Sequence, residues 1–135
     1  MADDTRVTSH SGGCLCGRVR WKVRGELRPI VACHCTQCRR TTGHFGAFTG
    51  ASHDAFTLEG SDGLNWYRSS EMATRGFCAT CGSILFWQPE GANRISIAAG
   101  SIDGQSGLTI TKHIFCADKG DYYEITGDAV QLAGY

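Results

Sequence analysis

The most regular stretch of the chain is GRVRWKVRG, Gly17 to Gly25, in which Val19, Trp21 and Val23 alternate with Arg18, Arg20, Lys22 and Arg24. A period of two puts the apolar side chains on one face and the basic ones on the other, which predicts a half-buried β-strand. Shorter strand signals recur at Pro29 to Ala32, Phe45 to Thr49, Ala55 to Leu58, Leu64 to Tyr67, Ser83 to Trp87, Arg94 to Ala98 and Lys112 to Phe115, separated by clusters of Gly, Ser, Asp and Asn. Helical periodicity is nearly absent. The best segment, TQCRRTT at Thr36 to Thr42, has room for one or two turns. The pattern is that of an all-β protein with small α content, and 18 glycines against two prolines suit a sheet with many tight turns.

A length of 135 residues with 41% hydrophobic content supports one modest core. We expect residues 1–11 to form a flexible N-terminal tail and residues 12–135 a single domain. The polar, acid-bearing start MADDTRVTSHSGG lacks the apolar stretch of a signal peptide, which makes the cytoplasm the expected compartment. Nowhere does an apolar run approach the roughly 18 residues a spanning helix needs. Lys+Arg and Asp+Glu both number 13, so no long-range field gathers phosphates, and neither nucleic acid nor a membrane surface is an expected partner.

The eight cysteines change the picture. They fall into Cys14 and Cys16 in GGCLCG, Cys33, Cys35 and Cys38 in CHCTQC, Cys78 and Cys81 in FCATCGS, and Cys116 alone. In a reducing compartment, thiols clustered at short fixed spacings are better explained by metal than by disulfides. A C-x2-C followed by glycine is a zinc knuckle that supplies half a tetrahedron, so Cys78 and Cys81 need a second pair, for which Cys14 and Cys16 are the natural partners. Four thiolates leave no position for substrate, and this set is read as structural zinc. The triplet Cys33, Cys35 and Cys38 can reach one ion with three ligands. Spacing alone leaves two versions of that site open: a catalytic zinc with a vacant fourth position, or a closed site completed by His34, His44, His113 or Cys116. On a strand His34 would point away from its two cysteine neighbours, and Cys116 reads as a small buried hydrophobe. Ligand softness favours zinc, with iron the substitute.

Taken in order, GGCLCG at Gly12 to Gly17, CHCTQCRRTTG at Cys33 to Gly43, GFCATCGS at Gly76 to Ser83, AAGSID at Ala98 to Asp103 and KHIF at Lys112 to Phe115 resemble the glutathione-dependent formaldehyde-activating enzyme family. The resemblance runs from about Gly12 to Glu124. It implies a β-tent of several antiparallel sheets, one zinc on Cys14, Cys16, Cys78 and Cys81, and a second, catalytic zinc on Cys33, Cys35 and Cys38. It also implies a carbon-sulfur lyase joining a thiol, glutathione, to an aldehyde, formaldehyde. Arg39 and Arg40, directly after the last ligand, then either clamp a carboxylate of the thiol substrate or form a solvated basic turn. The chain departs from the family pattern at Phe115 to Tyr122, where Cys116 replaces an apolar residue and KGDYY replaces a more proline-rich, tryptophan-containing stretch. Two rival readings are a non-catalytic zinc-stabilised binding module, which exposed aromatics among Trp66, Tyr67, Trp87, Tyr122 and Tyr123 would favour, and a metal carrier.

Overall fold

The computed structural model of the chain describes residues 8–135. Among these residues the chain forms β1 (Ser9–Gly13), β2 (Val19–Arg24), β3 (Ile30–Cys33), α1 (Thr36–Thr42), β4 (Gly46–Ser52), β5 (Phe56–Ser61), β6 (Leu64–Ser70), β7 (Ala73–Cys78), β8 (Ile84–Pro89), β9 (Arg94–Ala98), β10 (Ile110–Ile114) and β11 (Val130–Gln131). The protein is therefore all-β with one short helix, as the patterning requires. No helix among the described residues is long and apolar enough to cross a membrane.

The strands form two sheets: a three-stranded one in the order β1-β2-β5, and an eight-stranded one in the order β11-β10-β3-β4-β9-β8-β7-β6. Pairing is antiparallel except at one end of the larger sheet, where β10 runs parallel to both β3 and β11. The family resemblance implied antiparallel sheets throughout, so this end is a departure. An 11-residue stretch between β9 and β10, Ala99 to Thr109, carries the chain back to β3 in the parallel sense.

β2 behaves as its alternation demands: Val19, Trp21 and Val23 are fully buried, while Lys22 and Arg24 face solvent. They meet Leu85, Phe86, Ile95 and Ile97 of the larger sheet, and Cys14 and Cys78 lie in the same cluster. At about 25 cal/mol per Å² of apolar surface, each such side chain contributes about 1.5–3 kcal/mol, which makes this inter-sheet layer the main driving force for folding. Trp21 also satisfies its one donor, Nε1 donating to Ser101 Oγ at 3.1 Å.

The expected tail needs correcting at its inner end. Residues 1–7 lie outside the described residues, but Ser9, His10 and Ser11 belong to β1 and pair with Arg24, Val23 and Lys22 of β2. The ladder orders a segment whose own side chains, SHSGG, offer almost no apolar surface, because backbone hydrogen bonds to an already buried strand suffice.

Register places the functional faces. Cys33 pairs with Gly46, and Val31 with Phe48, so these four positions share one face of the larger sheet. Arg75 pairs with Trp87, Trp87 with Ser96, and Ser96 with Gly50, which puts Arg75 on that same face. Helix α1 lies over it. His113 pairs with Ala32 and so projects from the opposite face.

Candidate metal centres

Cys14, Cys16, Cys78 and Cys81 bring their sulfurs within 4.8 Å of one another, as do Cys33, Cys35 and Cys38. All eight cysteines are free of disulfides. The four-cysteine set is built from two similar turns. Gly17, after C-L-C, has φ +84°, and Gly82, after C-A-T-C, has φ +82°. Both donate back to the first cysteine carbonyl of their turn, Gly17 N–H to Cys14 O at 3.2 Å and Gly82 N–H to Cys78 O at 2.7 Å. The left-handed φ is open to glycine without strain and lets each turn close with its sulfurs on one side.

Does a metal fit this set? A zinc ion with Zn–S bonds of about 2.3 Å in a tetrahedron requires sulfurs about 3.8 Å apart. Cys14 and Cys16 stand 3.6 Å apart, and Cys16 and Cys78 3.8 Å apart. The turns also carry sulfur-directed donors: Val19 N–H donates to Cys14 Sγ at 3.3 Å, and Ser83 Oγ lies 3.2 Å from Cys81 Sγ. The Ser83 hydroxyl, with the Cys16 and Ser83 backbone N–H groups, lowers the Cys81 thiol to about 5. Burial pushes Cys14 up, but hydrogen bonds from the Val19 N–H and the Cys16 and Cys78 thiols outweigh it and leave Cys14 below its ordinary value. Against the Arg18 N–H, burial and the neighbouring thiols push Cys16 up to about 11, so the first charges fall on Cys81 and Cys14, and the four converging sulfurs fit a closed metal site.

The three-cysteine set is assembled differently. Cys33 ends β3, Cys35 is the N-cap of α1, and Cys38 is buried in the helix's first turn. Cys35 Sγ accepts the Cys38 N–H at 3.3 Å, so the cap sulfur does the work usually done by a serine or aspartate oxygen. Gly43 closes the helix in the left-handed region and donates to Arg39 O. Thiol hydrogen bonds from Cys33 and Cys38, helped by the Cys38 and Gln37 N–H groups, drive Cys35 down to about 2. Hydrogen bonds with Cys35 and Cys38, and then burial, push Cys33 far up. The first negative charge of the triplet thus rests on Cys35. Among the described residues no fourth histidine, cysteine or carboxylate completes this group.

The alternatives for that fourth place are accounted for. His34 points away from its cysteine neighbours and is buried, Nδ1 at 2.5 Å from the Tyr123 hydroxyl and Nε2 at 2.9 Å from His113 Nδ1. Burial, with His113, His44 and Lys119 nearby, lowers its pKa to about 4 and keeps it neutral. His44 meets the Tyr122 hydroxyl at 3.2 Å. Cys116 follows Phe115, whose backbone is left-handed (φ +56°), and its N–H pairs with Leu132 O; it is half-exposed rather than buried as expected. The KGDYY segment therefore borders the back of the triplet through Tyr123 and His34, and with Phe45, His113, Glu124 and Asp128 it lines a cavity of about 310 Å³ on the face opposite Cys33.

Arg39 and Arg40 occupy the last turn of α1, where cations favour the helix dipole. Arg40 is exposed, and Arg39 is half-buried with its Nε lacking a partner. One residue escaped the sequence reading. Arg75, only 6% exposed, donates from Nε to Gln37 Oε1 at 2.9 Å and from Nη2 toward Cys38 Sγ at 3.5 Å. Of the aromatics expected to matter for a binding module, Trp66, Tyr67 and Tyr122 are exposed, while Trp87 and Tyr123 are half-buried.

Three comparisons bear on this arrangement. The chain is 29% identical over 120 residues to an uncharacterized lyase of Schizosaccharomyces pombe, covering 87% of this chain and 86% of that protein. The crystal structure of a Rhodobacter sphaeroides protein superposes with a TM-score of 0.61 at 23% identity, over 72% of this chain and 91% of that one, a likeness of fold. Residues 9–118, which contain both cysteine clusters, match the family described as glutathione-dependent formaldehyde-activating enzyme, and the chain belongs to that family.

Proposed function

We propose that the protein is a zinc-dependent carbon-sulfur lyase that joins a small thiol, glutathione or a close relative, to a small aldehyde such as formaldehyde. The observation that carries this reading is the convergence of Cys33, Cys35 and Cys38 with no fourth protein ligand among the described residues. Zinc bound there would supply a Lewis-acid position at which an incoming thiol gives up its proton. The net reaction forms one sulfur-carbon bond. The carbonyl π pair becomes a lone pair on oxygen, and that oxygen takes up the proton the thiol released. The product is a hydroxymethyl thioether, and the reverse reaction regenerates thiol and aldehyde.

The chain's own residues divide the work. Cys14, Cys16, Cys78 and Cys81 hold a structural ion that fastens the β1–β2 and β7–β8 turns together. Cys33, Cys35 and Cys38 shape the reactive site, and the N-cap bond from Cys38 N–H fixes the Cys35 sulfur. Neutral His34 locks the KGDYY loop behind them. Exposed Arg40 and the half-buried Arg39 guanidinium are the groups assigned to a substrate carboxylate in this reading. Eight reduced cysteines fit a cytoplasmic location.

Isotope-labelled formaldehyde and glutathione, followed by NMR, test the proposal. Protein holding two zinc ions per chain should form S-hydroxymethylglutathione faster than the uncatalysed background, and Cys33→Ser should fall to background while remaining folded. Equal rates for wild type and Cys33→Ser would refute it. They would move the reading to a non-catalytic module, which the exposed Trp66 and Tyr67 on edge strand β6 favour.

A further inference from the structure

Arg75 sits on β7 with its side chain 94% removed from water, and among the described residues no carboxylate lies within ion-pair distance of it. A buried guanidinium without a counter-charge is unstable, so the compensating negative charge has to come from what it touches. Its neighbours are the neutral amide of Gln37 and the sulfur of Cys38. Gln37 is itself held, Nε2 donating to Ser69 O at 3.0 Å, so the guanidinium is fixed by a side chain that lies between two cysteines of the triplet. One terminal nitrogen, Nη1, is buried and without a partner, which leaves a donor in reserve.

We infer that Arg75 is the counter-charge of the three-cysteine site and sets the preference of its fourth position for an anionic ligand. The inference rests on the reading that these cysteines hold a divalent metal. Three thiolates around a divalent ion carry a net charge of minus one, which a single guanidinium cancels. A neutral fourth ligand leaves that balance unchanged. A thiolate adds another negative charge, which Arg75, the buried cation against Cys38, offsets. Among the described residues the four-cysteine set has no buried cation of this kind. Its Cys16 is exposed, and solvent screens it. Arg75 is thus a positioning and charge-balancing residue that makes the open site select thiolates over water or imidazole. Thiol binding there releases one proton to solvent.

The test uses the full chain loaded with cobalt, whose sulfur charge-transfer absorption reports the ligand set. Bound cobalt is counted first, and 2-mercaptoethanol and imidazole are then titrated separately at one fixed pH. Arg75→Gln should weaken mercaptoethanol binding by about tenfold or more while leaving imidazole within about twofold, since only the former adds charge near the removed guanidinium. Gln37→Glu, which keeps every buried group but gives Arg75 a carboxylate partner, should shift the ratio in the same direction by a smaller factor. Arg75→Lys should restore most of the preference. Equal weakening of both ligands in Arg75→Gln, or an unchanged ratio in Gln37→Glu, overturns the inference while leaving the metal reading intact. A wild-type chain that takes up only one cobalt overturns both. If Arg75→Gln fails to fold, Gln37→Glu decides.

Discussion

Gly46 gives the sharpest test of how the open site is built. It pairs with Cys33, so any side chain at 46 would rise on the face that carries the triplet. Its backbone lies outside the left-handed region, so space and not conformational freedom is what a substitution changes. A Cβ at this position would come within 2.7 Å of Phe48 Cε2 and 3.2 Å of Cys38 Sγ. Phe48 is 8% exposed and has little room to retreat. Ordinary contacts of this kind need about 3.5–4.0 Å, so the Cys38 sulfur has to move by about 0.4 Å. Metal-sulfur distances tolerate about 0.2 Å. Gly46→Ala should therefore cost about 1–3 kcal/mol of overpacking and weaken metal binding at the triplet by about tenfold or more, with the four-cysteine site unaffected. Chelator competition, followed as metal release, should show the two phases of the wild type drawing apart, the weaker becoming faster and the stronger unchanged. A folded Gly46→Ala protein that releases both metals at wild-type rates would refute the claim that the missing side chain makes room for Cys38.

Two further outcomes follow from the same geometry. Cys78 is fully buried in the inter-sheet core, and structural zinc contributes about 10–16 kcal/mol where domain stability is only about 5–15 kcal/mol. Cys78→Ser should lose its far-ultraviolet circular dichroism transition and be largely unfolded at 37 °C by order of magnitude, whereas a melting point within a few degrees of wild type would refute a structural role. His34, lowered from 6.5 to about 4 by burial, and His113, lowered by burial, bind fewer protons folded than unfolded. Their contribution to stability is complete above about pH 6.5 and is lost as pH falls toward about 4, because the unfolded chain takes up the protons first. The imidazole resonances of His34 should show no titration at pH 6, and a midpoint near 6.5 would sink the claim.

Much of this molecule was legible before the structure. β2 announced itself because one face is fully buried, which forces strict alternation. Helix α1 was readable to its ends because Gly43 stops it and no long apolar stripe extends it. Three strands were not legible, for separate reasons. β1 is SHSGG, held by its ladder with β2 rather than by apolar side chains, and β11 is two residues long. β7, ATRGFC, buries Arg75 and Gly76 in mid-strand, so its pattern of polar and apolar residues does not track burial at all. The same fact hid Arg75 from the site. A lone arginine in a strand reads as solvated unless its neighbours in space are known, and Gln37 and Cys38 are nearly forty residues away in sequence. The cysteines were legible because chelation constrains local spacing. The balance of charge around them was not, because it is a property of packing.

That difference explains how the two centres depend on each other. β7 ends at Cys78, a member of the four-cysteine set, and carries Arg75 three residues earlier, about 10 Å along the strand. An ion held by the four cysteines would pin the end of β7 to the β1–β2 turn and so steady Arg75, which Gln37 holds beneath α1. On the other side, β3 sends Cys33 to the face of the triplet and His34 to the opposite one, where Tyr123 and His113 hold it. The triplet is thus braced from both faces, by a cation fixed through Gln37 and by a neutral imidazole fixed through Tyr123 and His113. If the triplet holds an ion as proposed, this bracing would keep its fourth position free of protein ligands, because three sulfurs on a short loop and one helical turn have no fourth anchor of their own.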